Sequence, residues 1–389
     1  MDYNNRMDII EKNIPRMYIF KFLKDFVLVM PIIVPFFKSF GLSLTQIMLI
    51  QSVFALTMII CEIPTGYISD SLGRRKTLIT GSLFITLGYL IYSLSWDFYH
   101  FMLAEAVFAM GSSLCSGTDS ALIFDSLKVS GKESQYLRTE GKAEFFSRSG
   151  TMAASILGGI LAAYYMRLPF YVSVATSLIM TTIALYLFEP SRKTTPKIEE
   201  AYRNIVRVVR ESLEHKEILA VMMLSSSIMS TCLISIWGYL ALLNSYHANV
   251  AVFGIFFALF QLSSAIGARY SHYIKDTLGD KRSFYLLLGI PSCFLLLLLP
   301  FKALLLIAFV NSAVWGFSTP FLLEKINILI ESDRRATVLS TSSMISRILF
   351  ILVSPLFGVI SDLLSINLAF IVLAGLVLLS WTISSKQLA

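Results

Sequence analysis

The stretch Gly66-Tyr-Ile-Ser-Asp70-Ser-Leu-Gly73-Arg74-Arg75-Lys76 decides the fold. It sets a small residue, a carboxylate and a basic cluster between two apolar runs, roughly 44–68 and 77–96, each long enough to cross ~30 Å of hydrocarbon as a helix. Neither the acid nor the basic triplet is tolerated at bilayer depth without partners, so the stretch reads as a tight turn where one segment leaves a membrane and the next enters.

Apolar runs continue outward from this turn in both directions. Hydrophobic residues make up 56% of 389, charged residues 15%, and mean hydropathy is +0.72, which excludes an ordinary soluble domain. About twelve runs are long enough to span: roughly 16–40, 44–68, 77–96, 98–126, 141–165, 168–188, 217–243, 250–273, 283–299, 302–326, 337–361 and 366–385. Backbone polar groups in lipid must be satisfied within each segment, so these runs are read as helices.

The formal net charge of +7 follows topology and is no nucleic-acid signal. Lys and Arg crowd the amino terminus (Lys12, Arg16, Lys21, Lys24), Arg74–Lys76, the 128–142 loop, the 192–216 segment, Lys281/Arg282 and Arg334/Arg335, whereas the alternate loops hold Lys38, Arg167 and Lys302. Positive charge stays on the cytoplasmic side, so both termini are expected in the cytoplasm and the chain in the bacterial cytoplasmic membrane. The charged start runs into a full-length first segment without a small-residue cleavage site, unlike a signal peptide. Cys61, Cys115, Cys232 and Cys293 sit singly in expected helices, and His100, His215, His247 and His272 at ends or loops. Neither set has metal-ligand spacing, and no metal or cofactor is expected.

The chain divides once. Residues 1–190 and 217–389 each hold six runs, separated by a Pro-punctuated charged linker at 191–216. In the linker Ile198, Tyr202, Ile205 and Val209 recur at helical spacing opposite Arg203, Arg207 and Arg210. That segment reads either as an amphipathic helix on an anionic surface or as a solvated tether. Gly279-Asp-Lys281-Arg282 echoes Gly73-Arg74-Arg75-Lys76, though without an aspartate at the matching distance from a preceding glycine.

The G-x-x-x-D-x-x-G-R-R-K pattern resembles the loop between the second and third helices of the major facilitator superfamily, and the resemblance extends over essentially the full length. It implies an all-α membrane protein of twelve transmembrane helices in two six-helix bundles, related by an axis along the membrane normal. It also implies a gate: Gly66 permits close approach of the eleventh helix, Asp70 faces that helix's amino end, and Arg74 pairs with Asp125. Gly73, Arg75 and Glu62 complete the expected gating set. Arg335-Ala-Thr-Val-Leu-Ser340 strengthens the resemblance. The drug/proton-antiporter pattern is broken, with Ala154-Ser155 where Gly-Pro is usual and Val107 near the position of a mid-helix arginine, although Gly150, Gly158 and Gly159 match.

Ionisable residues inside the runs are the candidate substrate and proton sites. Asp25 precedes Pro31 and Pro35 in the first run, where a carboxylate must pair or take up a proton. Glu105, Ser112, Ser116 and Asp119 fall on one stripe of the fourth run, since fourteen residues at ~100° bring Asp119 within ~40° of Glu105. Arg148 follows Glu140 and Glu144 at i, i+4, i+8, a favourable ion-pair order. Arg347 has no acid within a turn of sequence, and Asn311 adds a neutral polar group.

No Gly-x4-Gly-Lys-Ser/Thr loop is present, so transport would draw on an ion gradient, where one charge crossing 100 mV supplies ~2.3 kcal/mol. An enzyme is not expected. A small-molecule substrate, a proton or other coupling ion and the bilayer are the expected partners of a monomer, with no nucleic acid. Proton-coupled export stands first; uptake or uniport of a polar metabolite or metal chelate and lipid flipping stay open.

Overall fold

The computed structural model describes residues 10–190, 215–299, 301–330 and 335–388, and every regular element among them is helical. In chain order they are α1 (Asn13–Lys24), α2 (Ile33–Ser39), α3 (Leu44–Leu72), α4 (Arg74–Leu94), α5 (Phe98–Cys115), α6 (Thr118–Val129), α7 (Tyr136–Tyr164) and α8 (Leu168–Leu185). The later chain supplies α9 (Lys216–Ser245), α10 (Val250–Arg269), α11 (Ser271–Leu286), α12 (Gly289–Leu296), α13 (Ile307–Leu329), α14 (Arg335–Leu363) and α15 (Ile366–Leu388). The linker expected over 191–216 lies outside the described residues apart from its last two.

Nine described stretches are long and apolar enough to cross a bilayer. Three of the twelve expected runs fall short of that standard, each for a local reason. The first run breaks after Lys24: residues 25–29 form turns, Met30–Ile32 a 3-10 turn, and the chain resumes as α2. Pro31 sits in the first positions of that 3-10 turn, where its missing N–H leaves no bond unmade. The prolines predict a bend at their own positions; α1 instead ends at Lys24, well before Pro31, leaving Asp25 as its C-cap. The fifth run is one long helix, α7, too polar to qualify, and the ninth is divided between α11 and α12.

The fourth run is also broken. Ser116 turns extended and Gly117 takes φ +75°, so α5 ends at Cys115 and α6 starts at Thr118. The single stripe from Glu105 to Asp119 therefore does not exist: the angular argument required an unbroken helix. At the other end of α5, Asp97 provides the N-cap, accepting the amides of Tyr99 (2.9 Å) and His100 (3.0 Å).

The chain gathers into two compact units. One comprises Met1–Phe36, Leu56–Ile198 and Asn249–Ile255, the other Phe37–Ala55, Glu199–Ala248 and Phe256–Ala389. In the first, α4 packs on α5 and α8, and α1 on α7 and α8. Asn13 ties the end of α8 to α1, donating to the Phe188 carbonyl (2.9 Å) and accepting its amide (2.9 Å). A ring cluster of Phe36, Tyr92, Phe101 and Phe170 closes the interior, with Phe36 and Phe170 centroids 4.3 Å apart. In the second unit α9 is the axial helix, and its Tyr239 joins Phe260, Phe294, Phe357 and Phe370 in an equivalent cluster. Leu83, Leu87, Leu90 and Leu94 on α4, like Leu352, Leu356 and Val359 on α14, stay exposed, as an apolar surface toward lipid requires.

The echo between the halves is stronger than the basic triplet alone implies. Gly73 (φ +100°, ψ 148°) and Gly279 (φ +76°, ψ 165°) share one backbone conformation that side chains rarely adopt. Asp276-Thr-Leu-Gly279 also repeats Asp70-Ser-Leu-Gly73, so an aspartate does stand three residues before each turn glycine. Anchoring the register on Gly66 hides this, because its counterpart position holds His272.

Candidate functional site

The first unit concentrates its ionisable groups where α1, α6 and α7 meet. Lys24 pairs with Asp119 at 2.5 Å, and Asp119 also accepts the Ser120 amide at 2.8 Å. Lys21 pairs with Glu140 and donates to the Ser120 hydroxyl at 3.1 Å, while Ser120 donates to Glu140 at 2.6 Å. Asp25 accepts from the Ser147 hydroxyl at 2.5 Å, and no ion pair to it occurs among the described residues. Lys21 and Asp119 are almost fully enclosed, with side chains 5% and 4% exposed. Two ammonium groups thus face three carboxylates, of which Asp25 is hydrogen-bonded by a hydroxyl and not by an ammonium. The second oxygen of Glu140 is buried without a partner.

Glu105 occupies a different place. Buried on α5, it accepts the Tyr92 hydroxyl, and Tyr92 belongs to the aromatic cluster. Its donor is a phenol among rings, whereas Asp119 is held by Lys24. Glu105 and Asp119 thus have different partners on different helices.

The basic turn is organised around Arg74. Its guanidinium meets Asp70 (2.8 Å), the Ser69 hydroxyl (2.8 Å) and Asp125 on α6 (3.4 Å), while Thr118 donates to Ser69 at 3.0 Å. Glu189 closes the turn from beyond α8, accepting the Arg74 and Arg75 amides at 2.9 and 2.8 Å. It thereby satisfies the first free N–H groups of α4 and sits on the positive end of its dipole. The backbone angle at Gly73 demands glycine, and a Cβ there would also stand 2.8 Å from the Glu189 carboxyl carbon and displace that cap. Arg75 donates to the Leu185 carbonyl at 2.7 Å. Glu62 and Gly66 lie exposed on α3, and a Cβ built on Gly66 meets nothing within 4 Å. The second unit makes its turn with reversed chemistry: Lys275 pairs with Glu324 (2.7 Å) and Asp280 with Lys325, both partners lying on α13.

Arg148 lies apart from the charged cluster: it is exposed and pairs with Glu144 at 2.8 Å. Glu140, expected to share that ladder, instead turns to Lys21. Asn311 is buried in the second unit and donates to the Tyr239 hydroxyl at 2.7 Å; Arg347 is half-buried on α14. Sequence reading missed Lys24, Glu140, Tyr92 and Glu189 as partners. Glu189 had a signal, an acid directly after the last apolar residue of the first half and before Pro190.

Membrane-length apolar helices and the repeated glycine turn define a multi-pass membrane protein. The Major Facilitator Superfamily sequence model matches residues 18–331, and the chain belongs to that superfamily. Among curated relatives, quinolone resistance protein NorA of Staphylococcus aureus is 23% identical over 168 residues, 43% of this chain and 42% of that protein. The bacillibactin exporter of Bacillus subtilis (strain 168) is 28% identical over 148 residues, 37% and 36% of the two chains. These matches span less than half the length of either relative. The nucleoside transporter NupG superposes with a TM-score of 0.78 at 12% identity, over 96% of this chain and 98% of that one. A bacterial homologue of the human lysosomal transporter Spinster gives 0.72 at 15%, over 99% and 95%. At such identity these structures establish the fold alone.

Proposed function

We propose that the chain exports a small amphiphilic compound across the cytoplasmic membrane by alternating access, driven by protons moving inward. The halves 1–190 and 217–389 rock as two bundles of a monomer whose termini are both cytoplasmic. The observation that carries this reading is the surplus carboxylate of the α1/α6/α7 cluster. With Lys21 and Lys24 hydrogen-bonded to Glu140 and Asp119, Asp25 accepts from the Ser147 hydroxyl and meets the Lys24 charge through space without an ion-pair contact. A carboxylate so placed is neutralised either by a proton or by a cationic substrate group, and that exclusivity couples the two fluxes. Asp119 and Glu105 act as further proton stations. Gly66, Asp70, Gly73, Arg74, Arg75, Asp125 and Glu62 serve the gate on the basic side. Two relatives bear exporter or resistance names, which favours the outward direction.

Purified protein in vesicles loaded with a fluorescent quinolone, under pH gradients of each sign, tests the proposal. Flux should run against the proton gradient and lose at least about tenfold in Asp25→Asn, whose amide cannot exchange a proton. Flux indifferent to the gradient in both directions sinks proton coupling. Arg347 on α14 brings a guanidinium to the second unit, whose buried polar groups are otherwise mostly hydroxyls. It favours a second reading: uptake or uniport of a metabolite or chelate carrying an anionic group. Accumulation driven by the same gradient, or saturable flux without one, would select it.

A further inference from the structure

Helix α3 changes company along its length. Leu44–Ala55 packs in the second unit, and the helix from Leu56 onward belongs to the first. What holds the first part is specific. Asp362, near the end of α14, accepts the Leu44 amide at 2.9 Å with one oxygen. With the other it accepts the Thr45 amide at 2.8 Å and the Thr45 hydroxyl at 2.7 Å. A carboxylate borrowed from another helix thus caps α3, where free N–H groups and the dipole both favour negative charge. One turn earlier, Gly358 lets the helices touch: a Cβ there would stand 2.6 Å from the Thr45 Cα and 2.8 Å from its nitrogen. Deeper along the same pair, Ser52 and Ser354 hydroxyls bond at 3.0 Å, both buried.

The first unit contains a counterpart. Asn249–Ile255, which opens α10, packs there against α7: a Cβ at Gly254 would collide with the Ser155 carbonyl oxygen and stand 3.2 Å from the Gly159 Cα. In both cases the opening turns of a helix dock through glycine onto the unit that does not hold the rest of that helix. The polar clamp by Asp362 belongs to the α3/α14 pair.

We propose that Asp362, Thr45 and Gly358 form a latch at the end of α3 opposite the Gly73 turn, closed in this structure and released once per transport cycle. This rests on the alternating-access reading above: whatever seals that end must come apart for substrate to pass, and the carboxylate–amide clamp sets how readily it does. Charge-assisted bonds to exposed backbone amides are strong enough to hold a state and few enough to break reversibly. By the proposed topology the latch faces outside, and its loss biases the protein toward the outward-open state.

The test uses full-length protein with the four native cysteines replaced and Ser354→Cys as reporter. A membrane-impermeant maleimide applied from outside should label this buried position slowly. Labelling should rise about tenfold in Asp362→Ala and in Gly358→Leu, and by less in Asp362→Asn, which keeps one acceptor oxygen. A second variant pairs Thr45→Cys with Asp362→Cys; oxidation should stop quinolone flux and a reductant should restore it. Unchanged labelling in both Asp362→Ala and Gly358→Leu overturns the latch, as does full flux with the pair cross-linked. If the unmodified protein carries no quinolone at all, the export reading fails, while the labelling rates still decide the latch.

Discussion

The two units enclose polar groups of opposite kinds. Among the described residues, the fully buried ionisable side chains of the first are Lys21, Glu105 and Asp119, supported by Lys24, Asp25 and Glu140. The buried polar groups of the second are mostly hydroxyls, such as Ser226, Ser227, Ser230, Thr231, Ser235 and Ser312, with the amides of Gln51 and Asn311. The difference lies in what each polar group can do. Hydroxyls here bond either on their own helix, as Thr231 does on the Ser227 carbonyl (2.7 Å), or to a neighbouring backbone, as Ser226 does on the Ser342 carbonyl (2.9 Å) and Ser312 on that of Phe260 (2.6 Å), without carrying charge. Buried charges must find partners, and here they find them on other helices, as Lys24 does on Asp119 and Lys21 on Glu140. On the proposed function, the first unit would respond to ions and the second would hold shape.

Removing half of a buried pair should break the contrast most severely. Lys24→Met strands Asp119, whose side chain is 4% exposed, and should cost about 3–5 kcal/mol in thermal unfolding of the detergent-solubilised protein. Asp119→Leu in the same chain should recover most of that loss. A single variant as stable as the parent would mean the pair is not enclosed.

Glu105→Gln sharpens the comparison at an intermediate scale. The amide oxygen still accepts from Tyr92, so stability should shift by less than about 1 kcal/mol while proton-driven flux falls about tenfold or more. Equal loss of folding and flux would reduce Glu105 to a packing residue.

Glu189→Ala should cost about 1–2 kcal/mol through the uncapped start of α4, measured by the same unfolding assay. Gln should recover part of it, because an amide oxygen accepts but carries no charge.

The smallest effect is expected in the second unit. Asn311→Leu removes one bond to Tyr239 together with an amide oxygen that already lacks a partner, and should change stability by no more than about 1 kcal/mol. Loss of flux in this variant would overturn the division of labour, since it would put substrate recognition in the neutral unit.

How much can be read in advance follows from the range of the forces involved. Run length, the Gly73 turn and the Arg74–Asp125 approach depend on residues near in sequence or at the ends of adjoining helices, and they are legible. The break at Gly117 is written in the sequence too, but a helical-wheel argument assumes continuity and passes over it. Partner choice is not legible. Glu140 lies four residues from Glu144 and eight from Arg148, which makes an intrahelical ladder the natural reading, yet it bonds Lys21 across 119 positions. Asp362 lies 317 positions from the amide of Thr45, and nothing local to either announces the other.

By itself the sequence determined a chain of apolar helices with its charges sorted to turns and to the first half, because the bilayer penalises each exposed polar group wherever it falls along the chain. Tertiary structure alone decided which carboxylate keeps a lysine, which is left with a hydroxyl, and which crosses to cap another helix. Those outcomes depend on distances between segments remote in sequence, where an ångström separates an ion pair from a vacant acceptor.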